Sequence, residues 1–364
     1  MTTSTASKNV VADLLSEHAW VPGFQPEGLP RKAKWSFITR NIPTGDASHV
    51  EARADHKPRS GDLILAHVEK IAQHTRIQLR NSRRSLLYPG DKIVVAYGNR
   101  YAPDQFEAEI PECLDRCHLV AAGGVAAKAI AKHAKLKWPT TIRPEGYCID
   151  SSGEVMNLRR YALNTERTAG LPKKPVIAVL GTSMNSGKTT TAAALVKGLS
   201  AAGYRVAAVK ATGTGSGNDV WSYADAGAEV TLDFVDVGYP STYRVPQIEI
   251  QACFDRLLAA TRADDNVDVT VVEIADGLLH FETSDLVASA AFKRQVKHVV
   301  FAAGEAMGAL AGVERLNRIG VTPLAITGLL TASGLAASEA ETFTGVPVLT
   351  KTRLESPQIA KLVL

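Results

Sequence analysis

The fold of a large part of this chain is predicted by one stretch, Val176-Ile-Ala-Val-Leu-Gly-Thr-Ser-Met-Asn-Ser-Gly-Lys-Thr-Thr-Thr191. It begins with a run of apolar β-formers typical of a buried strand, and the alanine-rich residues that follow it favour a helix. Between them lies a glycine-bounded loop that fits the pattern G-x-x-x-x-G-K-[ST], with Thr182 in the first position and Gly181 just before it. A strand, this loop and a helix, in that order, predict a phosphate-binding loop, or P-loop.

The residue types of this loop suit the binding of a nucleotide. Backbone N–H groups and the N-terminus of the following helix attract phosphate oxygens. Lys188 is expected to neutralise the β- and γ-phosphates, and the Thr189 hydroxyl to ligate Mg²⁺. The absence of an N/T-K-x-D segment, which specifies guanine, favours ATP without fixing it, so the predicted cofactors are ATP and Mg²⁺. The predicted cofactor-binding residues are Gly181, Thr182, Ser183, Met184, Asn185, Ser186, Gly187, Lys188, Thr189 and Thr190.

Residues 176–364 are predicted to form one nucleotide-binding domain because strand and helix patterns alternate along them. A helix from Thr190 to Ala202 leads to a strand from Tyr204 to Lys210, which gives a βαβ unit. The alternation indicates a doubly wound, mainly parallel sheet. Further helices are predicted at 247–262, 306–319 and 333–344, and further strands at 267–273, 297–303, 322–328 and 346–349.

Polar residues stand where ligands bind in such a sheet, at the carboxyl ends of its strands. Lys210 ends one strand, and a glycine-rich loop after it contains Asp219. Glu273 ends the run Val267-Asp-Val-Thr-Val-Val-Glu273, an arrangement typical of a Walker B acid near Mg²⁺, and Asp276 competes for that role. The predicted catalytic residues are Lys188, Lys210, Asp219 and Glu273, and the predicted metal ligands are Thr189, Asp219 and Glu273.

The first 165 residues have a different pattern. Residues 1–60 are polar and proline-containing, which predicts a partly ordered N-terminal arm. Residues 61–165 predict a smaller α+β domain with a β-rich, barrel-like part, because short alternating runs and turns such as Pro89-Gly90-Asp91 come first. A helix is expected from Val125 to His133, after the Gly123-Gly124 step. Residues 166–175 have linker composition.

A polar loop at 99–107 is the predicted substrate site of the N-terminal domain. Arginine suits carboxylate or phosphate recognition, and amide and carboxylate side chains suit orientation, although a structural turn is an equal alternative. Cys113, Cys117 and His118 can begin a zinc site, but no second pair at fitting spacing completes it. The predicted substrate residues are Asn99, Arg100, Asp104 and Gln105, together with Thr212 and Gly213 in the loop after Lys210.

The composition excludes several classes of protein. The net charge of +4, from 41 basic and 37 acidic residues, is too small to indicate nucleic-acid binding. No apolar run of membrane-spanning length occurs, and the N-terminus does not resemble a signal peptide, so a cytoplasmic protein is expected. The 4 cysteines are too few for a disulfide framework and are expected to be reduced.

The loop 181–190, Lys210 with a glycine loop and Asp219 after it, and Val271-Val-Glu273 together resemble the dethiobiotin synthetase-like branch of P-loop proteins, which includes cobyrinic acid amidating synthetases. In dethiobiotin synthetase, a P-loop Lys and Thr, a strand-end Lys, an Asp and a Walker-B-like Glu assemble ATP, Mg²⁺ and a carbamate that is phosphorylated and then cyclised. The resemblance, which covers about residues 175–350, implies that the corresponding places are filled by Lys188, Thr189, Lys210, Asp219 and Glu273, with Asp225 as an alternative to Asp219.

A second resemblance concerns Ala211-Thr-Gly and Leu232-Asp-Phe-Val, which are similar to a family of P-loop proteins that includes a D-glutamate N-acetyltransferase. Two main hypotheses follow. The first is an ATP- and Mg²⁺-dependent enzyme that phosphorylates a small molecule, as a kinase or as a ligase that activates a carboxylate or carbamate. The alternative is a nucleotide-switched ATPase that acts on a protein or metal-delivery partner. An N-acyltransferase comes third. A homodimer or higher homo-oligomer is expected.

Overall fold

The computed structural model describes residues 32–43, 45–165 and 173–364. These residues form a β-rich, mostly antiparallel domain followed by an α/β domain with a parallel sheet, which confirms the predicted fold class. Residues 1–31 of the predicted arm and 166–172 of the predicted linker lie outside the described residues.

The N-terminal domain is built on a nine-stranded sheet. Its strands are β1 (Lys34–Trp35), β2 (Ala47–Glu51), β3 (Leu63–Lys70), β6 (Lys92–Tyr97), β7 (Arg100–Tyr101), β8 (Phe106–Glu109), β9 (Cys117–Ala121), β10 (Val125–Lys132) and β11 (Thr140–Asp150), and a separate hairpin contains β4 (Arg76–Gln78) and β5 (Arg84–Leu86). The spatial order is β1-β6-β3-β11-β9-β10-β8-β7, with β2 paired to β11. Residues 34–51 of the predicted arm therefore contribute two strands to this sheet.

Five of these strands close into a barrel. β10 pairs antiparallel with β9 and parallel with β6, which completes the ring β6-β3-β11-β9-β10. Closure satisfies the backbone groups that an open sheet edge would expose, and it confirms the predicted barrel-like part. An apolar core on this sheet includes Ile64, Ala66, Val68, Ile93, Val95, Tyr97, Leu119, Ile142 and Tyr147.

The helix predicted at 125–133 is wrong, because these residues form strand β10. Pairing with β6, β8 and β9 outweighs the helix propensity of this alanine-rich run. Gly123 and Gly124 turn the chain from β9 into β10 and do not begin a second α/β unit. A side chain at Gly123 would lie 2.0 Å from Gly215 O, so this turn packs directly on the C-terminal domain.

The C-terminal domain contains six parallel strands and helices on both faces of the sheet. The strands are β12 (Val176–Gly181), β13 (Val206–Lys210), β14 (Val230–Asp233), β15 (Val269–Glu273), β16 (His298–Ala302) and β17 (Ala325–Thr327), in the spatial order β14-β13-β15-β12-β16-β17. The helices are α1 (Lys188–Ala201), α2 (Gly217–Asp225), α3 (Gln247–Ala263), α4 (Phe281–Ala288), α5 (Ala290–Gln295), α6 (Ala306–Arg318), α7 (Gly334–Thr344), α8 (Lys351–Leu354) and α9 (Ala360–Val363).

The alternation of residues along β12 explains this doubly wound arrangement. Ala178 and Leu180 pack in one apolar cluster with α3 and α6, whereas Ile177 and Val179 pack in another with α1. Both faces of the central strand are therefore covered, as its unbroken apolar sequence predicts. The strand predicted at 346–349 is wrong, because only Val348 forms a bridge, with Ile326.

The two domains meet at buried charged groups. Arg40 Nη2 lies 2.7 Å from Asp233 Oδ1 and 2.9 Å from Asp236 Oδ1. Asn41 Nδ2 also donates to Asp236 Oδ1, at 2.8 Å. These contacts fix the segment after β1 against the end of β14, beside the carboxyl edge of the parallel sheet.

All four cysteines are free thiols, and three of them are buried. Cys117 lies in the barrel core, and His118 Nδ1 accepts a hydrogen bond from Ala129 N. Among the described residues, no group of three or more His, Cys, Asp or Glu side chains is arranged to hold a metal. None of the helices in the described ranges is long and apolar enough to cross a membrane.

Candidate nucleotide-binding site

The loop between β12 and α1 is compact and depends on its two glycines. Gly187 has φ 100°, and Asn185 also lies in the left-handed region, with φ 62°. A side chain at Gly181 would lie 2.3 Å from Ser186 Oγ, which leaves no room for one. Ser186 Oγ is buried and has no hydrogen-bond partner among the described residues. The loop therefore has the tight backbone and the spare polar group of an anion cradle.

Lys188 curls back over this loop at the start of α1. Its side chain is buried, and its Nζ donates to Ser183 O at 2.7 Å. Burial lowers the pKa of Lys188, although Glu273 and Asp276 oppose the shift. A desolvated ammonium group held at a helix N-terminus is suited to phosphate oxygens.

Thr189 lies between two carboxylates. Its Oγ1 is 3.1 Å from Asp219 Oδ1, at the start of α2, and 3.3 Å from Glu273 Oε1, at the end of β15. One hydroxyl and two carboxylates form a set of hard oxygen donors, which is the chemistry that Mg²⁺ requires. These three residues would therefore hold the ion beside the phosphate-binding loop. Asp225, the alternative to Asp219, is exposed at the far end of α2.

Lys210 and Tyr223 fix the two carboxylates from the other side. Lys210 Nζ contacts Asp219 Oδ2 and lies 3.9 Å from Glu273 Oε1. Burial disfavours the charge of Lys210, but the two carboxylates outweigh burial and raise its pKa. The Tyr223 hydroxyl donates to Glu273 Oε2. Burial and this carboxylate raise the pKa of Tyr223 well above its usual value, so it stays a donor.

Asp276 stands apart from this group, in the loop after β15. It forms no hydrogen bond with its side chain among the residues that the structure describes. Burial raises the pKa of Asp276, and the cations of His280, Lys210, Lys188 and Arg100 oppose the shift in that order. Asp276 therefore lies near Lys188 at the phosphate-binding loop, Lys210 at the end of β13 and Arg100 of the N-terminal domain.

Part of the C-terminal domain is similar to a known protein family. The family model for MobB, the molybdopterin guanine dinucleotide synthesis protein B, matches residues 176–277. This match covers β12, the loop, Lys188, Thr189 and the strand that ends at Glu273. The matched residues therefore have a P-loop nucleotide-binding fold. A search of curated proteins gave no match.

Several solved structures are similar to part of the chain. The signal recognition particle receptor FtsY from Elizabethkingia anophelis is 22% identical, with a TM-score of 0.33, over 50% of this chain and 59% of that one. The same receptor in complex with GDP is 21% identical, with a TM-score of 0.35, over 49% of this chain and 56% of that one. The signal recognition particle 54 kDa protein from Aeropyrum pernix K1, in complex with GDP, is 20% identical, with a TM-score of 0.34, over 57% of this chain and 50% of that one. This chain therefore spans less than two thirds of each of these proteins.

The substrate residues predicted in the N-terminal domain lie close to the P-loop domain, and each has a different hydrogen-bond partner. Asn99 Oδ1 accepts from Ile110 N at 2.8 Å, which holds a turn. Gln105 Oε1 accepts from Arg100 Nη2 at 2.7 Å. Asp104 Oδ2 accepts a hydrogen bond from Asn185 Nδ2 of the P-loop at 2.7 Å. The loop 99–107 therefore contacts the nucleotide-binding loop through Asp104.

Arg100 has unused hydrogen-bonding capacity, as does Asp104 Oδ1. Arg100 is 6% exposed, and its Nε and Nη1 are buried without partners among the described residues. Burial lowers its pKa to about 10, and the Asp104 and Asp276 carboxylates oppose the shift. A buried guanidinium with two free N–H-bearing nitrogens is an incomplete anion site.

Thr212 and Gly213, the other predicted substrate residues, already have partners within the protein. The Thr212 hydroxyl donates to Ala275 O, and Gly213 N donates to Thr242 Oγ1 at 2.8 Å. A side chain at Gly213 would lie 3.1 Å from Lys210 Cε. Gly213 therefore leaves space for Lys210, and both predicted substrate residues hold neighbouring loops at this edge of the sheet together.

Sequence reasoning gave no role to Tyr223 or His280. Tyr223 lies four residues after Asp219, so one face of α2 presents both to Glu273, and this spacing is visible in the sequence. His280 Nδ1 lies 3.0 Å from Glu282 Oε2. Burial opposes the charge of His280, but Glu282 outweighs burial and raises the pKa of His280. The His280 ring also contacts Tyr101 of the N-terminal domain, with centroids 4.7 Å apart, and no sequence spacing indicates this contact.

Proposed function

We propose that this protein transfers the γ-phosphoryl group of a nucleoside triphosphate to a small-molecule acceptor held between its two domains. The observation that carries the proposal is the environment of Asp276. This partly buried carboxyl has a raised pKa, no hydrogen bond within the described part of the chain, and cations from both domains around it. A group of this kind next to a P-loop is a candidate general base.

The P-loop side of the site would bind the donor. Backbone N–H groups of the loop and Lys188 would hold the phosphates, and Thr189, Asp219 and Glu273 would hold Mg²⁺. When bound, Mg²⁺ supplies charge neutralisation for the phosphate oxygens. Lys210, held by Asp219, keeps a second positive charge at the strand end, where it would face the transferring group.

The acceptor oxygen would attack the γ-phosphorus in line with the bond that breaks, the bond to the β,γ-bridging oxygen. The nucleoside diphosphate then leaves with the electron pair of that bond, and Lys188 neutralises its charge. If the acceptor is a hydroxyl, its proton passes to the Asp276 carboxylate. If it is a carboxylate or carbamate, as the resemblance to dethiobiotin synthetase-like proteins implies, no proton moves and an acyl phosphate forms.

Arg100 favours an acceptor with an anionic group. Its two unpartnered nitrogens lie on the N-terminal side, and Asp104 next to it contacts the P-loop. A carboxylate or phosphate bound by Arg100 would stand near Asp276 and the end of the P-loop. Binding there would hold the acceptor in one orientation, which is the main task of the protein in phosphoryl transfer.

A nucleotide-switched ATPase or GTPase is the second candidate function. Large apolar side chains are exposed on segments next to the P-loop, as a surface for a protein partner or a second copy would require. These side chains are Leu279, Phe281, Met307 and Leu329. In this case the protein would hydrolyse the nucleotide slowly and change its association with a partner.

The experiment uses the full chain with Mg²⁺ and either ATP or GTP labelled at the γ-phosphate. GTP is included because the matched family model is named for guanine dinucleotide synthesis. Label is followed into free phosphate and into a pool of small carboxylates, amines and hydroxy compounds. Transfer to a pool member, lost in Asp276→Asn, supports the phosphotransferase. Hydrolysis that is indifferent to the pool, with nucleotide-dependent association measured by light scattering, supports the switch.

A further inference from the structure

An open pocket of about 540 Å³ lies on the P-loop domain where Tyr101 of the N-terminal domain meets it, next to the loop that contains Asp276. We call it the aromatic pocket and define it by Tyr101, Tyr243, Gln247, Leu279, His280 and Phe281, which line it. Its volume lies within the usual range for small-molecule sites. It shares none of its lining residues with the P-loop or with the Mg²⁺ ligands described above.

Three rings form one wall of the aromatic pocket. The centroids of Tyr101 and His280 are 4.7 Å apart, and those of Tyr101 and Tyr243 are 5.4 Å apart. Tyr101 belongs to β7 of the N-terminal domain, whereas Tyr243 and His280 come from two loops of the P-loop domain. Tyr243 and His280 also contact each other, with centroids 5.7 Å apart, so the N-terminal domain extends a wall that begins in the P-loop domain. Rings at these distances present a surface on which a planar group packs well.

The charged groups around the aromatic pocket are paired with each other. Arg244 Nη1 lies 2.6 Å from Glu109 Oε1, and His280 Nδ1 lies 3.0 Å from Glu282 Oε2. The Tyr243 hydroxyl is also bonded to a carboxylate of the N-terminal domain, at 2.9 Å. Each charged residue that lines the pocket, Arg244, His280 or Glu282, is therefore paired with an opposite charge within the described part of the chain. The pocket therefore suits an uncharged group.

Gln247 supplies the polar contact that the wall lacks. Its Oε1 and Nε2 are both buried, and neither has a hydrogen-bond partner among the described residues. Buried amide groups without partners are costly, so their presence in a cavity points to a ligand that satisfies them. The side-chain amide presents an acceptor beside a donor, which matches a carboxamide or the amide edge of a heterocycle.

We propose that the aromatic pocket binds the planar end of the acceptor, an uncharged ring with a carboxamide-like edge. The ring packs on Tyr101, Tyr243 and His280, and its amide edge pairs with Gln247. Leu279 and Phe281, which are 80% and 72% exposed, lie at the mouth and cover the bound ring. The assignment of this ligand as the acceptor rests on the proposed function, whereas the binding site itself does not.

The test uses the full chain and three probes of similar size, measured by ligand-detected NMR. Benzamide has the ring and the amide, benzyl alcohol has only the ring, and cyclohexanecarboxamide has only the amide. A probe of about nine non-hydrogen atoms is expected to bind with a Kd of about 1 mM. Benzamide should bind about fivefold more tightly than either of the other two. Equal binding of all three, or no binding of benzamide, overturns the proposal.

Two variants locate the binding. Tyr101→Ala should weaken benzamide about tenfold, and Gln247→Leu should remove the preference for benzamide over benzyl alcohol. Tyr88→Ala is the matched control, because Tyr88 is an exposed tyrosine of the same domain that does not line the pocket. Gln247→Leu keeps the test decisive if Tyr101→Ala does not fold. Unchanged selectivity in Gln247→Leu contradicts the proposal.

A fourth probe separates this proposal from the proposed function. 3-(Hydroxymethyl)benzamide carries the ring, the amide and a hydroxyl that can accept a phosphoryl group. If it binds with the Gln247 dependence but takes no label from the nucleotide, the pocket stands and the phosphotransferase fails. If other compounds of the pool are labelled while no amide-bearing ring binds, the phosphotransferase stands and the aromatic pocket proposal fails.

Discussion

Asn185 Nδ2 donates a hydrogen bond to Asp104 Oδ2 at 2.7 Å, and this bond joins the P-loop to the N-terminal domain. Asn185 has φ 62°, a conformation that asparagine tolerates better than most residues. The other oxygen of Asp104 is buried without a partner among the described residues. The bond therefore links the backbone of the nucleotide-binding loop to the position of the loop that contains Arg100.

Two substitutions at Asn185 separate its backbone role from its side-chain role. Asn185→Gly keeps the left-handed conformation and removes the amide, so we expect nucleotide affinity to be retained while loop 99–107 is released. Hydrogen exchange at Gln105 N, which donates to Ala102 O, should then become faster. Asn185→Ala should in addition lower the free energy of unfolding by about 1 kcal/mol, because alanine is strained at this φ. Equal protection of loop 99–107 in the glycine variant and the wild type would contradict this linkage.

Lys188→Ala should reduce nucleotide-dependent turnover at least about 100-fold, because Lys188 Nζ lies on the loop itself, 2.7 Å from Ser183 O, whereas Lys210 is held by Asp219. Its stability should not fall, since the substitution also removes the desolvation that lowers the pKa of Lys188. The measurement is steady-state turnover together with urea unfolding. Lys197→Ala, on the exposed face of the same helix, is the control and should behave as the wild type does. Normal turnover in Lys188→Ala would remove the P-loop from the chemistry.

Glu273→Gln should raise the Mg²⁺ concentration needed for half-maximal turnover about tenfold, because a charged oxygen ligand becomes a neutral one. Tyr223→Phe should shift the same parameter in the same direction but less, since it removes only the hydroxyl that fixes Glu273 Oε2. The double variant should show less than the sum of the two effects because both act on one ligand. Additive effects would mean that Tyr223 acts independently of Glu273.

Much of the P-loop domain could be predicted because its chemistry is local in sequence. The strand, loop and helix around Gly187 are consecutive, and Lys210 and Glu273 both end strands of one parallel sheet. The barrel was harder, since β10 is alanine-rich and becomes a strand only through pairing with β6, β8 and β9. Such pairing joins residues far apart in the chain, so periodicity within residues 125–133 does not contain it.

The contacts between the two domains at the site could not be predicted from the sequence, for the same reason. Asp104 and Asn185 are 81 positions apart, and Tyr101 and His280 come from different domains. The sequence indicated polar loops at both places, but no spacing rule relates one domain to another. Only Tyr223 carried a usable signal, because it is one helical turn after Asp219.

The pH dependence of turnover should report Asp276. A base must be unprotonated to work, so turnover should fall as the pH drops through the pKa of Asp276, which burial raises above 3.8.

The raised pKa of Asp276 also makes the stability of the protein depend on pH. A carboxyl whose pKa is raised on folding adds stability at low pH and loses it as the pH rises through the folded value. Asp276→Asn should therefore abolish the acidic limb and be more stable than the wild type at neutral pH. Reduced stability of this variant at neutral pH would show that its charge is compensated in the folded protein.

Arg40 should prove essential for the association of the two domains. Its guanidinium lies between Asp233 and Asp236, whose side chains are 2% and 11% exposed, so its removal leaves two buried carboxylates without their counter-ion. Arg40→Ala should lower the free energy of unfolding by about 3 kcal/mol, measured by urea denaturation. Arg84→Ala removes an exposed contact with Asn218 across the same seam and should change it by less than about 0.5 kcal/mol. If both variants lose the same small amount, the buried ion pairs contribute no more than a surface contact, and the domains are held by their apolar packing instead.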